Sequence, residues 1–312
     1  MNRLRGVALI TALLITALAG SVAAGLAWDN ALDVRRTMVM LYRDQAIQVA
    51  VGSESWVASI LKQDGIEGGP GSPDHLDEIW ATEIPALPID SEAVQGQIWG
   101  QIEDLSGRFN INNLVDDDGE FVQKYVDQYR RLLQALGLDE RLVDATVDWL
   151  DKDQQERMPD GAEDPLYSSL IPAYRTADRR VTNVTELAAV AGMDRVSFEI
   201  LLPHITALPL ETPLNVNTAT VPVLMSLNDN IDLGTAEGLV EVREGGGFVD
   251  YRGTFDTIVH PDLQQDYAES SDYFQLKAVV QIDTVRITLF TVFIRDPSTR
   301  EVSPLLRRMG TI

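Results

Sequence analysis

The stretch GVALITALLITALAGSVAAGLAW (residues 6–28) decides the architecture. From Val7 to Trp28 it carries no charged side chain. A helix of that length rises about 33 Å, close to the hydrocarbon thickness of a bilayer. Secretory signals have shorter apolar regions, ~7–15 residues, ending at small residues. Ala23, Ala24 and Ala27 supply such residues, so a Sec-type export signal cut near Trp28 stands as the alternative to an anchor. On that alternative the product is a soluble periplasmic protein that binds Ca²⁺ or another ligand. Arg3 and Arg5 precede the run, so the positive-inside rule keeps residues 1–6 in the cytoplasm and sends the rest across.

Beyond Trp28 the helical period continues. Leu32, Val39, Leu41, Ile47, Val51, Val57, Ile60 and Leu61 recur at helical spacing with polar residues between them. One helix is expected from about residue 7 to residue 62, half in lipid and half in water. The loop GIEGGPGSPDHLDE (65–78) breaks it. Extended segments are expected at 80–88 and 97–103. In DLSGRFNINNL (104–114), Phe109 and Ile111 alternate with Asn110 and Asn112, which predicts a strand with a turn. From residue 116 the pattern turns helical. Phe121, Tyr125, Tyr129, Leu132, Leu133 and Leu136 share one face up to Gly137. Asp139 is placed to cap a second helix bearing Leu142, Val143, Val147 and Leu150. Helices are also expected at 184–191 and 197–202. The end of the chain, FQLKAVVQI and VRITLFTVFIRD, reads as two antiparallel strands turning at Asp283–Thr284, with an edge strand at 302–309.

The bulk numbers narrow the function. With 312 residues there is room for about two units. A net charge of −23 opposes phosphate backbones and suits hard cations instead. With no cysteine, disulfides, iron–sulfur clusters and thiol nucleophiles are excluded. His75, His204 and His260 lie far apart in sequence, and no G-x-S-x-G, H-E-x-x-H or Walker A pattern occurs, so an enzyme is not expected. His75 and His260 are expected at the surface and His204 half-buried.

Carboxylates crowd one loop. VDWLDKDQQERMPDGAEDPLY (147–167) holds Asp148, Asp151, Asp153, Glu156, Asp160, Glu163 and Asp164. Either the loop is simply solvated, or a Ca²⁺ relieves the repulsion by accepting 6–8 oxygens. An EF-hand is excluded: counting from Asp151, the sixth position is Glu156 where Gly is needed, and the twelfth is Ala162. The segments LNVNTATVPVLMSL (214–227) and AEGLVEVREGGGFVDYRGTF (236–255) look like a helix-hairpin-helix unit. Its hairpin, NDNIDLGT, carries Asp229 and Asp232 where a phosphate would sit, so no nucleic-acid partner is expected.

A basic hexapeptide ending in Gly6, followed by a helix that leaves the membrane unbroken, resembles the N-terminus of type IV prepilin-like proteins. GVALITALLI, LSGRFNINNL, DWLDKDQQ, GAEDPLY and LNVNTAT together resemble the K-type minor pseudopilins of type II secretion systems. The resemblance implies an α+β fold in which a long N-terminal transmembrane and amphipathic helix packs on an antiparallel, pilin-like sheet. A large all-α domain is inserted in it. The implied layout is a leader (1–6), a membrane segment (7–28), a periplasmic continuation (29–62), a first part of the core (63–115), an inserted helical domain (116–211) and a closing part (212–312). It implies cleavage by prepilin peptidase after Gly6, methylation of Val7, and Thr11 where most pseudopilins carry Glu. A subunit without that Glu is one with nothing above it in the filament. Implied partners are the I- and J-type minor pseudopilins and other pseudopilins, in the inner membrane of a Gram-negative cell with the globular part in the periplasm. The resemblance also implies structural Ca²⁺ on Asp151, Asp153, Glu163 and Asp164, with Asp148 and Asp160 as further candidates.

Overall fold

A single helix, α1 (Arg3–Glu67), carries the chain out of its apolar run without a break. The computed structural model describes residues 3–69, 72–91, 94–248 and 250–310, so the first two residues of the expected leader lie outside them. At 1.5 Å per residue α1 is about 100 Å long. Every side chain from Val7 to Leu41 is exposed. Leu32, Val39 and Leu41, which carry the helical period beyond Trp28, therefore lie exposed in this chain. The buried stripe begins later, at Ala46, Ala50, Glu54, Val57 and Leu61, spaced three or four residues apart. The helix also runs five residues past its expected end. Gly65 does not stop it, because the glycine lets Arg295 pass: a Cβ there would lie 3.2 Å from Arg295 Cδ.

After α1 come β1 (Ile84–Ser91), β2 (Val94–Asp104), β3 (Phe109–Asn110), α2 (Gln123–Ala135), α3 (Leu142–Leu150), α4 (Asp164–Tyr167) and α5 (Arg195–Leu201). Then follow β4 (Ile205–Thr206), β5 (Leu214–Asn215), α6 (Val221–Met225), α7 (Leu233–Arg243), α8 (Tyr251–Phe255) and β6 (Tyr267–Ala268). β7 (Tyr273–Ile282), β8 (Val285–Arg295) and β9 (Val302–Met309) close the chain. Five strands form one antiparallel sheet in the order β1-β2-β7-β8-β9. The β7–β8 hairpin turns at Asp283–Thr284, and β9 lies at the edge, both as the sequence pattern predicts. Phe274, Leu276, Ala278, Val280 and Ile282 face α1 and are buried against its stripe. Trp80, expected on a strand, instead sits in a 3₁₀ turn (Ile79–Ala81). It is buried edge-on to Phe274 at 5.2 Å, and its indole N–H donates to Glu78.

Everything between β2 and β7 forms a helical head. One apolar core holds it together from Phe109 to Tyr267. The core thus starts before the expected boundary at 116 and continues past 211, so the helix-hairpin-helix-like segment packs into the head and not into the sheet. Two short parallel pairs bring distant segments together: β3 with β4, and β5 with β6. The expected alternation at 109–112 is absent. Phe109 through Leu114 are all buried, and Ile111–Leu114 is a 3₁₀ turn. Phe121 lies before α2, not on its buried face, and is exposed beneath the Arg157 guanidinium. The expected helix at 184–191 is a 3₁₀ turn, Val184–Ala189.

Buried asparagines replace missing strand partners. Asn112 Nδ2 donates to the carbonyls of Val181 (3.1 Å) and Leu208 (3.0 Å), and its Oδ1 accepts from Val181 N (3.0 Å). Asn110 does the same for Leu208 and Pro209. Removing the Asn112 amide would strand the N–H and C=O of Val181 away from water, while Leu208 O keeps Asn110 Nδ2 at 3.2 Å. We expect Asn112→Ala to cost about 2–3 kcal/mol in urea denaturation. A loss under ~0.5 kcal/mol would mean that water replaces these bonds.

The head is tied to the sheet mainly by polar contacts. Asp104, at the end of β2, accepts from Ser106 N, Asn215 Nδ2, Thr218 Oγ1 and Ser271 Oγ. Burial still pushes its pKa upward. Asp74 accepts from Ser271 N and, at 2.6 Å, from Arg295 Nη2. Arg295 Nη1 reaches Asp64 on α1 at 3.0 Å. One buried chain of bonds therefore links helix, sheet and head.

Candidate metal centre

The acidic loop is built on α3. Leu142, Val143, Val147 and Leu150 bury its apolar side. Trp149 sets its indole edge-on against Tyr167 (5.3 Å) and Tyr174 (6.3 Å), which pins α4 beneath the loop. Asp148 ends up fully buried, and Asp151 caps the helix in an extended conformation. The chain then loops out and returns onto Asp148. The backbone N–H groups of Arg157 (3.1 Å) and Ala162 (2.8 Å) both donate to its Oδ2. Gly161 makes this return possible, since a Cβ there would fall 2.2 Å from the same oxygen. Glu163 follows at the start of α4, with no exposed surface.

Carboxylates converge with too few donors. Asp151, Asp153 and Glu163 each place an oxygen within 4.8 Å of the others. Asp148 Oδ1, Asp151 Oδ1, both oxygens of Glu163 and Asp178 Oδ1 are buried without a hydrogen-bond partner among the described residues. Burial, followed by mutual repulsion, pushes the pKa of Asp151 up to about 7 and that of Glu163 up to about 8. Asp148 rises to about 6, chiefly through burial. The nearest guanidinium does not settle these charges, because Arg157 Nε donates to Asp144 and its plane covers Phe121. Five orphaned carboxylate oxygens are an expensive arrangement for a protein alone. Unpaired carboxylate oxygens around the Asp151, Asp153 and Glu163 group suit a hard cation with several oxygen ligands.

The structure separates the expected ligands. Asp151, Asp153 and Glu163 come together, and Asp148 stands close enough to add to their repulsion. Asp164 turns away: its Oδ1 accepts from Thr176 N and Oγ1, each at 3.1 Å, and its Oδ2 lies 3.6 Å from Arg175. Asp160 is not among the converging oxygens. Asp178 was missed by sequence reasoning. It stands outside the acidic loop, and its one signal, an aspartate at φ +47°, needs the backbone to be seen.

Elsewhere the functional reading is plainer. Asp232 caps α7 by accepting from Thr235 N (2.8 Å), and Asp229 lies 3.8 Å from Arg131. In the triple glycine 245–247, the Gly245 N–H donates to Asp77, so a carboxylate occupies the donor a phosphate would need. His204 bonds Thr220 at 2.7 Å. His75 and His260, expected at the surface, are half-buried, and each accepts a backbone N–H in a turn. In α1, the Thr11 hydroxyl donates to the carbonyls of Val7 and Ala8, both at 3.0 Å, so it needs no partner from outside.

Comparison with known proteins agrees with this architecture. Residues 107–210 and 214–253 match two family models described as type II secretion system protein K. The chain is 36% identical to type II secretion system protein K of Pseudomonas aeruginosa, over 98% of this chain and 92% of that protein. It is 32% identical to the protein of that name from Pectobacterium carotovorum, over 90% and 89% of the two chains. A chain in the crystal structure of the GspK-GspI-GspJ complex from enterotoxigenic Escherichia coli has the same fold. The TM-score is 0.74 at 22% identity, covering 89% of this chain and 100% of that one. A long apolar helix, a five-stranded sheet, a helical head inserted between β2 and β7, and identity along nearly the whole length lead to one conclusion: the chain belongs to the type II secretion system protein K family.

Proposed function

We propose that this protein is the minor pseudopilin at the tip of the type II secretion pseudopilus, a structural subunit and not an enzyme. In this reading α1 anchors the subunit in the inner membrane and then packs laterally in the filament, with sheet and head in the periplasm. The observation that carries the tip position is Thr11. Its hydroxyl is satisfied within the helix, whereas a carboxylate there would need a partner in lipid. A subunit above would lack its usual contact, and the head adds bulk where that subunit would stand. I- and J-type minor pseudopilins are the proposed partners, supported by the assembly named for the solved neighbour. The proposed Ca²⁺ is structural and is held by Asp148, Asp151, Asp153, Glu163 and Asp178.

Co-expression with the I- and J-type subunits of the same system tests the reading. A three-part complex should survive extraction into detergent, and the mature chain should begin at a methylated Val7. A soluble product starting near Trp28 that copurifies with neither subunit would overturn it.

A further inference from the structure

A cavity of about 650 Å³ lies between the head and the face of the sheet turned away from α1. That volume falls within the ~300–1,000 Å³ typical of ligand sites. Its floor is Gln275, Val292 and Leu306 on β7, β8 and β9. Its far wall is the segment 202–210, with Pro203, Ile205 and Leu208.

Charge is the unexpected feature. In a chain of net charge −23, this cavity holds three guanidiniums, Arg108, Arg180 and Arg308, and a single carboxylate, Glu103. Glu103 is already bonded to Arg108 at 2.5 Å. Arg180 pairs with Asp117, which is almost fully exposed, and such a pair contributes little and exchanges readily. Arg308 has no acidic partner among the described residues. Its guanidinium lies over Phe290, and its buried Nε–H has no acceptor. The Arg308 guanidinium is therefore an unbalanced positive charge on this wall, which an incoming carboxylate would neutralise.

We propose that this cavity docks an extended, acidic and aliphatic segment of another protein, with one of its carboxylates on Arg308. The aliphatic walls take its apolar side chains. Thr182, Thr206 and Gln275 offer neutral hydrogen-bonding groups along the same walls, which suits a peptide backbone and not a hydrocarbon chain. At the rim, Leu305 is exposed on β9, which has no further strand beyond it among the described residues. An arriving segment meets a free sheet edge beside the cavity. The proposal is independent of the tip position and of the metal.

The test uses the full chain in nanodiscs of zwitterionic lipid. A fluorescein-labelled peptide, Leu-Glu-Leu-Asp-Val-amide, is titrated by anisotropy, with a lysine-for-acid control peptide and decanoate as competitor. Saturation below ~1 mM is expected, with no binding of the control. Arg308→Glu should weaken binding by about tenfold or more. Leu305→Asp, at an exposed rim position that does not threaten folding, should also weaken it. Failure to saturate, binding unchanged by both substitutions, or displacement by decanoate at concentrations below the peptide's own half-saturation would each overturn the proposal. The last result would assign the cavity to a lipid.

Discussion

Chelating calcium at pH 8 is expected to lower the melting midpoint of the head by roughly 5–10 °C. A ligand at 100 times its Kd stabilises by ~2.7 kcal/mol, and each kcal/mol moves a unit of this size by ~2–4 °C. The same chelation at pH 5 should do little, and the sign follows from the carboxylates. In the metal-free fold Asp148, Asp151 and Glu163 have pKa values raised to about 6, 7 and 8. Unfolded, they titrate near 4. Between these limits the folded state binds more protons, so the metal-free protein loses stability as pH rises from about 4 to 8. Calcium requires the ionised forms, and its contribution grows over the same window. Glu163→Gln separates the two effects. It should raise the metal-free midpoint at pH 8 while abolishing the calcium response. Asp164→Asn should leave that response intact, because Asp164 is committed to Thr176. A calcium shift of equal size at pH 5 and pH 8, or none at pH 8, would remove the site.

Arg295→Met is expected to destabilise the sheet by about 3–5 kcal/mol, the usual cost of breaking a buried pair from one side. Arg295 is 2% exposed and holds Asp64, Asp74 and the Ser271 carbonyl together. Its removal leaves the two carboxylates without their cation, in a place where burial and the charge of Glu78 already lift Asp64 to about 7. The methionine itself packs acceptably against Phe274, over which the guanidinium now lies. The loss is therefore one of charge and not of volume. Adding Asp64→Asn and Asp74→Asn should recover more than half of it in urea denaturation. If the triple variant is no more stable than Arg295→Met alone, packing is the cause and the electrostatic account fails.

What could be read in the sequence had a short period. β7 alternates over ten residues and was legible along with the turn at Asp283, whereas of the α1 stripe only Val57 and Leu61 were, because Ala46, Ala50 and Glu54 carry no strong apolar signal. Phe109–Leu114 was misread because its asparagines bond to carbonyls nearly a hundred residues away, leaving no local pattern. The acidic loop was legible as a region, but not which of its carboxylates the fold draws together. Asp164 lies in the loop but is turned onto Thr176, while Asp178 lies outside it and is brought near only by the fold. The head boundary failed for a similar reason. Leu214 pairs with Tyr267, across a segment whose own helices resemble an independent unit.

The head's place between two paired strands also sets the order of events when the chain folds. Asp104 on β2 is opposite Phe274 on β7, and roughly 170 residues lie between them. While they are unfolded, joining those strands means closing a loop whose entropy costs ~4–5 kcal/mol beyond a constant, from (3/2)RT ln n. Once the head has formed, its two ends meet, with Leu105 N donating to Tyr273 O at 3.0 Å, and that cost has already been met. The β2–β7 join, which completes the sheet beneath α1, is then favoured once the head has formed, whereas β1–β2 and β7–β8–β9 pair locally without it. The head therefore acts as a clamp that brings the two halves of the helix's seat together.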